Sequence, residues 1–475
     1  MAKTWANQGG DLHLELAGSR VRAGLEAALR DAVQAGRLPP GARLPSSRAL
    51  AADLGIARNT VADAYGQLVA EGWLAARTGS GTWVTQHRAA TPESPGVSPP
   101  DVVHPRYDLR PGVPDLSAFP RRAWLTAARK ALSAAPDHVL GYPDPRGLPQ
   151  LRTALAGYLA RARGVTVSPG RIVVCAGFAQ GLALLCQVLR ERGAGTIAME
   201  ASGHPAHRHL AEAHGLRPVP LPVDAGGAVP DGLGAADAVL LTPAHQFPLG
   251  VTLQPQRRRA IVEWVVDTAG LVIEDDYDGE FRYDRQPVGA MQALAPEHMV
   301  YAGTASKSLM PGLRLGWLVL PAPLHDEVIA AKESAGCLTS SLDQLTLAEF
   351  ISSGAYDRQI RLARLAYRRR RDRLATALRR QAPHVRVTGI AAGLHALVEL
   401  AGPDSEEDVI ARAARRGLAI EGLGSYSAAG QHVPGQHVPG QHGPALVIGY
   451  GRPPEHAFTT ALARLCAALA DHQSV

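Results

Sequence analysis

Residues 271–320 read LVIEDDYDGEFRYDRQPVGAMQALAPEHMVYAGTASKSLMPGLRLGWLVL. Two apolar runs in this stretch end in polar groups: Leu271-Val272-Ile273 passes into Glu274-Asp275-Asp276-Tyr277, and Met299-Val300-Tyr301 passes into Gly303-Thr304-Ala305-Ser306-Lys307. A short apolar run that breaks into polar residues predicts a buried parallel strand delivering side chains at its carboxyl end, where open α/β sheets place their ligands. The stretch is therefore a site as well as a piece of core.

Lys307 is the residue to explain. The chain has four lysines (Lys3, Lys130, Lys307, Lys332) against 45 arginines, so arginine serves wherever a plain positive charge is enough. Lysine alone can lose its proton when desolvated and attack a carbonyl. Asp275 lies 32 residues before it, with Asp276 beside that, and Arg314 lies seven residues after it. Pyridoxal 5'-phosphate needs a carboxylate against its pyridinium nitrogen, a lysine at its aldehyde and an arginine at its phosphate. Taken alone, such a set is better read as a structural ion pair with an exposed lysine. The surrounding motifs weigh against that.

Asp275-Asp276-Tyr277-Asp278, Gly303-Thr304-Ala305-Ser306-Lys307-Ser308-Leu309 and Gly312-Leu313-Arg314-Leu315-Gly316-Trp317 resemble the cofactor site of fold-type-I aminotransferases. Together with the N-terminal region they resemble the MocR/GabR family of regulators, in order and over nearly the whole chain. The resemblance implies that Lys307 forms the internal aldimine, Asp275 faces the pyridine nitrogen and Tyr277 approaches the ring hydroxyl. It also implies that Thr304, Ser306 and Arg314 hold the phosphate.

The N-terminal region carries its own pattern. In residues 20–36, Val21, Leu25, Ala28, Leu29, Ala32 and Val33 recur at helical spacing, and Gly36 with Pro39-Pro40 stops the helix. Ser46 or Ser47 caps a short helix over 48–54, Gly55 supplies a tight turn, and a further helix runs from Ala57-Arg58-Asn59-Thr60-Val61 to about Glu71. Trp73-Leu74-Ala75 and Thr82-Trp83-Val84 flank Thr78-Gly79-Ser80-Gly81 as a two-stranded wing. This is a winged helix-turn-helix, which places Arg58, Asn59 and Thr60 where base and phosphate contacts belong, with Arg48, Arg77 and Gly79 toward the flanking backbone. A small helical domain with a solvated basic face fits the spacing equally well. Leu44-Pro45-Ser46-Ser47-Arg48, Arg58-Asn59-Thr60-Val61 and Gly79-Ser80-Gly81-Thr82 are similar to the GntR-type DNA-binding domain, and this similarity implies promoter DNA as a partner.

Length and charge agree with more than one body. At 475 residues the chain exceeds one ordinary core. The net charge is +6, and residues 1–88 hold ten basic and seven acidic side chains, half of that excess. The expected organisation is a DNA-binding domain over 11–86, a Pro/Ser-rich linker over 87–106 (HRAATPESPGVSPPDVVHPR) and a cofactor domain over 107–475. Cys175, Cys186, Cys337 and Cys466 form no CxxC pair and read as small core residues in a reducing compartment. The N-terminus lacks the apolar run of a signal peptide and no run reaches spanning length, so a cytoplasmic location is expected.

Several further segments bear on the site. Arg171-Ile172-Val173-Val174-Cys175-Ala176-Gly177-Phe178-Ala179 reads as strand, glycine and helix start, which aims the Phe178 and Ala179 amides at an anion. Glu200-Ala201-Ser202-Gly203-His204-Pro205 puts His204 where the family usually stacks a tyrosine on the ring. Thr242-Pro243-Ala244-His245-Gln246-Phe247-Pro248 offers His245 or Gln246 to the ring hydroxyl, with a satisfied structural histidine as the plain alternative. Tyr142, in Gly141-Tyr142-Pro143-Asp144, is the candidate to cross a homodimer interface to the partner's phosphate, a surface loop tyrosine being the other reading. The arginine-rich segment 356–380 predicts a long helix with a solvated basic face in preference to a DNA-tracking surface. In 430–444, GQHVPGQHVPGQHGP, a flexible low-complexity insertion is favoured over metal capture by His432, His437 and His442.

The strand that should carry the family's carboxylate-binding arginine, Ala445-Leu446-Val447-Ile448-Gly449-Tyr450, contains none, and Arg452 just beyond is its only candidate replacement. By the resemblance, the fold is a winged helix-turn-helix plus a fold-type-I aminotransferase-like α/β domain, with a mostly parallel sheet and a smaller C-terminal α/β part. The expected function is a transcription regulator that senses pyridoxal 5'-phosphate or an amine or amino-acid effector through Lys307, with little or no turnover. The alternative is a working aminotransferase carrying a DNA-binding head.

Overall fold

The computed structural model describes residues 21–77, 80–85, 105–283, 288–401, 404–428 and 443–470. The chain divides into two compact units, residues 1–103 and 104–475. Most of the expected linker, residues 87–104, lies outside the described residues, as do Gly79 and residues 430–442 of the histidine repeat.

In the smaller unit, the helix Val21–Gln34 buries Leu25, Leu29 and Ala32 along one face. Ser46 caps the helix Ser47–Leu54, its hydroxyl accepting the Ala49 amide at 3.2 Å. Gly55, at φ 65°, turns the chain left-handed before the helix Arg58–Ala70. Leu74–Arg77 and Gly81–Val84 form the expected antiparallel wing. Arg43–Leu44 pairs on the other side of Gly81–Val84, a third strand too short to show a period in the sequence. Helices and wing close over Leu25, Leu29, Val61, Leu68, Leu74 and Val84.

The larger unit is built on a seven-stranded sheet in the order Ile172–Cys175, Gly316–Val319, Met299–Thr304, Leu271–Asp276, Ala238–Leu241, Thr196–Glu200, Arg217–Leu221. Neighbours run parallel except Gly316–Val319, which is antiparallel to both of its own. Every residue of Leu271–Asp276 and Met299–Thr304 is buried, as continuous apolar runs in a doubly covered sheet require. The reversed strand pairs its Gly316 with Cys175 on one side and Thr304 on the other. That register brings the loops after Cys175 and Thr304 to the loop that precedes Gly316.

A four-stranded antiparallel sheet, in the order Arg386–Thr388, His395–Glu399, Ala445–Gly449, Glu421–Gly422, forms the smaller C-terminal part. The arginine-rich helix is real, Ala355–Gln381, but its basic face is not simply solvated. Arg370 is 3 % exposed and donates to Asp115 at 2.7 Å and to the Pro453 carbonyl at 2.8 Å, while Arg373 pairs with Glu455 at 2.7 Å. Part of the run therefore fastens the helix to the C-terminal module. Cys175, Cys186 and Cys466 are buried, whereas Cys337 is exposed, which corrects the expectation of four core cysteines. Among the described residues, no helix is long and apolar enough to cross a membrane.

The polar end of Leu271–Asp276 alternates its side chains, as a strand must. Asp276 turns into a buried pair with Arg163, whose Nε and Nη2 donate to it at 2.5 and 3.0 Å, and Tyr301 adds its hydroxyl at 2.8 Å. Glu274 accepts the Met291 and Gln292 amides at 2.9 Å each, yet burial and the neighbouring Asp276 push its pKa up to about 7. A folded-state value raised above the unfolded one means that the fold favours the protonated carboxyl. That contribution is complete below the ordinary glutamate range and is lost as pH rises through 7. Glu274→Gln is therefore expected to flatten the fall in stability between about pH 4.5 and 7, by on the order of 3 kcal/mol, when both proteins are unfolded in urea across that window.

Candidate functional site

A cavity of about 440 Å³ opens at the carboxyl ends of the central strands. Phe178, Ala179, His204, Asp275, Tyr277, Thr304, Ser306, Lys307 and Arg314 all line it, so nine expected cofactor contacts from five separate segments converge on one space.

One end of the cavity is an anion grip. The helix Phe178–Glu191 begins there with Gly177 at φ 82° and no side-chain cap, which leaves its first amides unsatisfied. Arg314 adopts the left-handed conformation at φ 51° and donates Nη2 to the Ala176 carbonyl at 2.6 Å. A Cβ on Gly177 would meet the Arg314 guanidinium at 3.3 Å, so glycine is what lets helix start and cation stand together. The Thr304 and Ser306 hydroxyls lie 2.8 Å apart beside them.

Lys307 Nζ donates to the Gly112 carbonyl at 2.5 Å. Desolvation pulls its pKa below that of an ordinary lysine, opposed by Asp275 and Asp278. Asp275 is 7 % exposed and has no hydrogen-bond partner among the described residues; burial holds its carboxyl well above the usual range, against the pull of Lys307. A buried carboxylate without a donor is costly. The pyridinium N–H of pyridoxal 5'-phosphate would supply that donor, and the group's phosphate would meet the amides, hydroxyls and guanidinium at the other end. The residues present thus fit the cofactor.

Behind Tyr277 lies a buried polar cluster. Its hydroxyl is 3.1 Å from His245 Nδ1, which is itself 2.9 Å from Asp278 Oδ2. The His395 ring packs 4.9 Å from that of His245, and its Nε2 donates to the Pro248 carbonyl at 3.1 Å, with burial pushing its pKa well down. His245 therefore supports Tyr277 from behind and does not line the cavity. The expectation for Gln246 is corrected too: its amide N–H groups donate to the Ser202 and Phe247 carbonyls at 2.8 and 2.6 Å, its carbonyl accepts the Leu249 amide at 3.0 Å, and the residue does not line the cavity, so it has no N–H to offer a ring hydroxyl. His204 does line the cavity, with Nδ1 accepting the Ala206 amide at 3.3 Å and its ring stacked 5.0 Å from His207.

Arg452 is corrected as well. It donates Nε to Asp108 at 3.1 Å, alongside Arg110 at 2.7 Å on the same carboxylate, and it lies outside the cavity. Tyr142 is 97 % exposed and takes no part in this cavity. In the smaller unit, Arg58 and Asn59 are exposed and Thr60 half-buried at the start of a helix whose N-cap, Ala57, makes no side-chain cap, while Arg48 in the preceding helix and Arg77 at the end of the first wing strand are also exposed.

Sequence reasoning missed Glu200, Arg208, Glu421 and Tyr426, which also line the cavity. Glu200 ends the strand Thr196–Glu200, much as Asp275 stands next to the last residue of Leu271–Asp276, and that apolar run ending in a carboxylate was a readable signal. Burial pushes its pKa up to about 7, while the Thr242 hydroxyl donates to it at 2.5 Å. Glu421 and Tyr426 come from the C-terminal module and reach the cavity only through tertiary packing.

Comparison with known proteins agrees with this geometry. Residues 112–420 match the family aminotransferase class I and II, and residues 22–84 match the bacterial regulatory proteins of the gntR family. The chain is 34% identical over 406 residues to the HTH-type pyridoxine biosynthesis transcriptional regulator PdxR of Corynebacterium glutamicum, covering 84% of this chain and 87% of that one. It is 33% identical over 374 residues to the probable rhizopine catabolism regulatory protein MocR of Rhizobium meliloti, covering 74% and 76%. Kynurenine aminotransferase of Pyrococcus horikoshii shares the fold of the larger unit, with a TM-score of 0.69 and 22% identity over 78% of this chain and 93% of that one. A gntR-type head followed by an aminotransferase fold whose strand ends carry Asp275 and Lys307 leaves one assignment, and the chain belongs to the MocR family of HTH-type transcriptional regulators.

Proposed function

We propose that this regulator binds promoter DNA through its winged helix and holds pyridoxal 5'-phosphate in the larger unit, reporting the cofactor itself or an amine that reacts with it. The observation that carries this is the pairing of an unpartnered, buried Asp275 with a desolvated Lys307 in a cavity that ends in an anion grip. When bound, the cofactor supplies an aldehyde that condenses reversibly with amines. Asp275 would hold the ring nitrogen, and Tyr277, braced by His245, the ring hydroxyl. Ser306, Thr304, Arg314 and the Phe178 and Ala179 amides would hold the phosphate, with His204 against the ring. Lys307 would exchange its place with an effector amine, and such an exchange alters DNA affinity only if the DNA-bound and free states differ in affinity for the effector. Tyr142 would serve a homodimer, completing the partner's site. The setting of these events is the cytoplasm, where promoter DNA lies.

A working aminotransferase is the weaker reading, because Arg110 and Arg452 both spend themselves on Asp108 and so do not clamp a substrate carboxylate.

The test is DNA binding by the full chain, with and without pyridoxal 5'-phosphate. Arg58→Ala is expected to lose about 1–3 kcal/mol of specific affinity and relax preference at one base position, whereas Arg77→Ala weakens all sequences alike and lowers the salt slope by about one. Equal binding to promoter and random DNA by the wild type would overturn the proposal.

A further inference from the structure

The cavity wall also carries a carboxylate, Glu421, from the short strand Glu421–Gly422 of the C-terminal sheet. Its one hydrogen-bond partner among the described residues is the Tyr426 hydroxyl, which donates to Oε2. Oε1 has none. The Tyr426 ring is fixed in turn by edge-to-face packing on Phe247 at 5.0 Å, so the carboxylate is held at the cavity wall by a braced phenol. Arg110 lies close enough to feel the charge of Glu421, but its guanidinium donates its hydrogen bonds to Asp108 at 3.0 and 2.7 Å, and Arg452 joins that same carboxylate. Val447, directly across the sheet from Glu421, is buried and apolar. Arg208 reaches the cavity, but its Nη2 is spent on the Gly203 and Tyr426 carbonyls at 3.1 and 2.9 Å.

An effector entering this space strips water from Glu421. A desolvated carboxylate is stabilised by a counter-cation and destabilised by a second carboxylate. Resting on the amine-sensing reading above, we infer that the effector is a diamine, one amine engaging the site at Lys307 and the second, as ammonium, pairing with Glu421. An amino acid whose carboxylate would face Glu421 is the class this wall disfavours.

The experiment is an absorbance titration of the full chain loaded with pyridoxal 5'-phosphate, using 1,5-diaminopentane, n-pentylamine and 5-aminopentanoate, with promoter binding followed in parallel. The wild type is expected to bind the diamine about tenfold more tightly than pentylamine, with 5-aminopentanoate weakest, and E421Q to bring the diamine to the pentylamine value. Three equal affinities, a preference for 5-aminopentanoate, or a diamine preference that survives E421Q would each overturn the inference and leave the cofactor reading standing. Should E421Q fold poorly in a melting assay, the wild-type series decides alone. A loaded chain with no visible absorbance abolished by Lys307→Ala would overturn the cofactor reading, and this inference with it.

Discussion

Asp276→Ala is expected to destabilise the larger unit by about 3–5 kcal/mol, a large fraction of an ordinary domain's stability of about 5–15 kcal/mol. The substitution leaves the Arg163 guanidinium buried without its carboxylate and takes the acceptor from the Tyr301 hydroxyl. Little can relax: a Cβ on Gly279 would stand 2.1 Å from Asp276 Oδ1 and 2.4 Å from Arg163 Nη2, so the backbone is already against the pair. Asp275→Ala, one residue away, should do the reverse to the empty protein, neutral or slightly stabilising, because it removes a buried carboxylate that lacks a donor. It should also abolish tight retention of pyridoxal 5'-phosphate. Urea unfolding of the two variants without cofactor separates them, and equal losses would contradict the division of labour between these neighbours.

Lys307→Ala is expected to remove all cofactor-dependent visible absorbance while the chain stays folded, since the amine is a cost to the empty domain more than a support. Promoter affinity should then stop responding to added amines. Lys307→Arg should not rescue either property, because a guanidinium does not deprotonate and cannot condense with an aldehyde. A variant that keeps the absorbance would point to another lysine. Lys332 is the one to check: it is buried, its pKa is lowered by desolvation, and it donates to the Val174 carbonyl at 2.6 Å.

Much of this was legible in the chain because the features are local. Apolar runs ending at Asp276 and Thr304 marked their strands, and Ser46 and Gly55 marked the helix-turn-helix, each through neighbours a few residues away. What escaped depends on distance. Nothing around Arg163 says that its charge is paired 113 residues later, and nothing around Glu421 says that it faces Lys307's cavity. Gln246 and Arg452 failed as contacts for the same reason, since their partners Ser202 and Asp108 are chosen by packing and not by spacing. The choice between Asp275 and Asp276, left open by the residues alone, followed from strand alternation once Arg163 was in place.

The reversed strand Gly316–Val319 has a thermodynamic consequence. By zipping the end of Ile172–Cys175 to the end of Met299–Thr304, it brings together chain segments separated by well over a hundred residues, all of which a small anion bound there would touch. Contacts of that reach close late and at high entropic cost. Any phosphate ester that docks there would act as a staple across the sheet, adding about 2.7 kcal/mol of stability at a hundredfold excess over its dissociation constant and so raising the melting point. Heat resistance of the larger unit should consequently track vitamin supply, even where no gene is being switched.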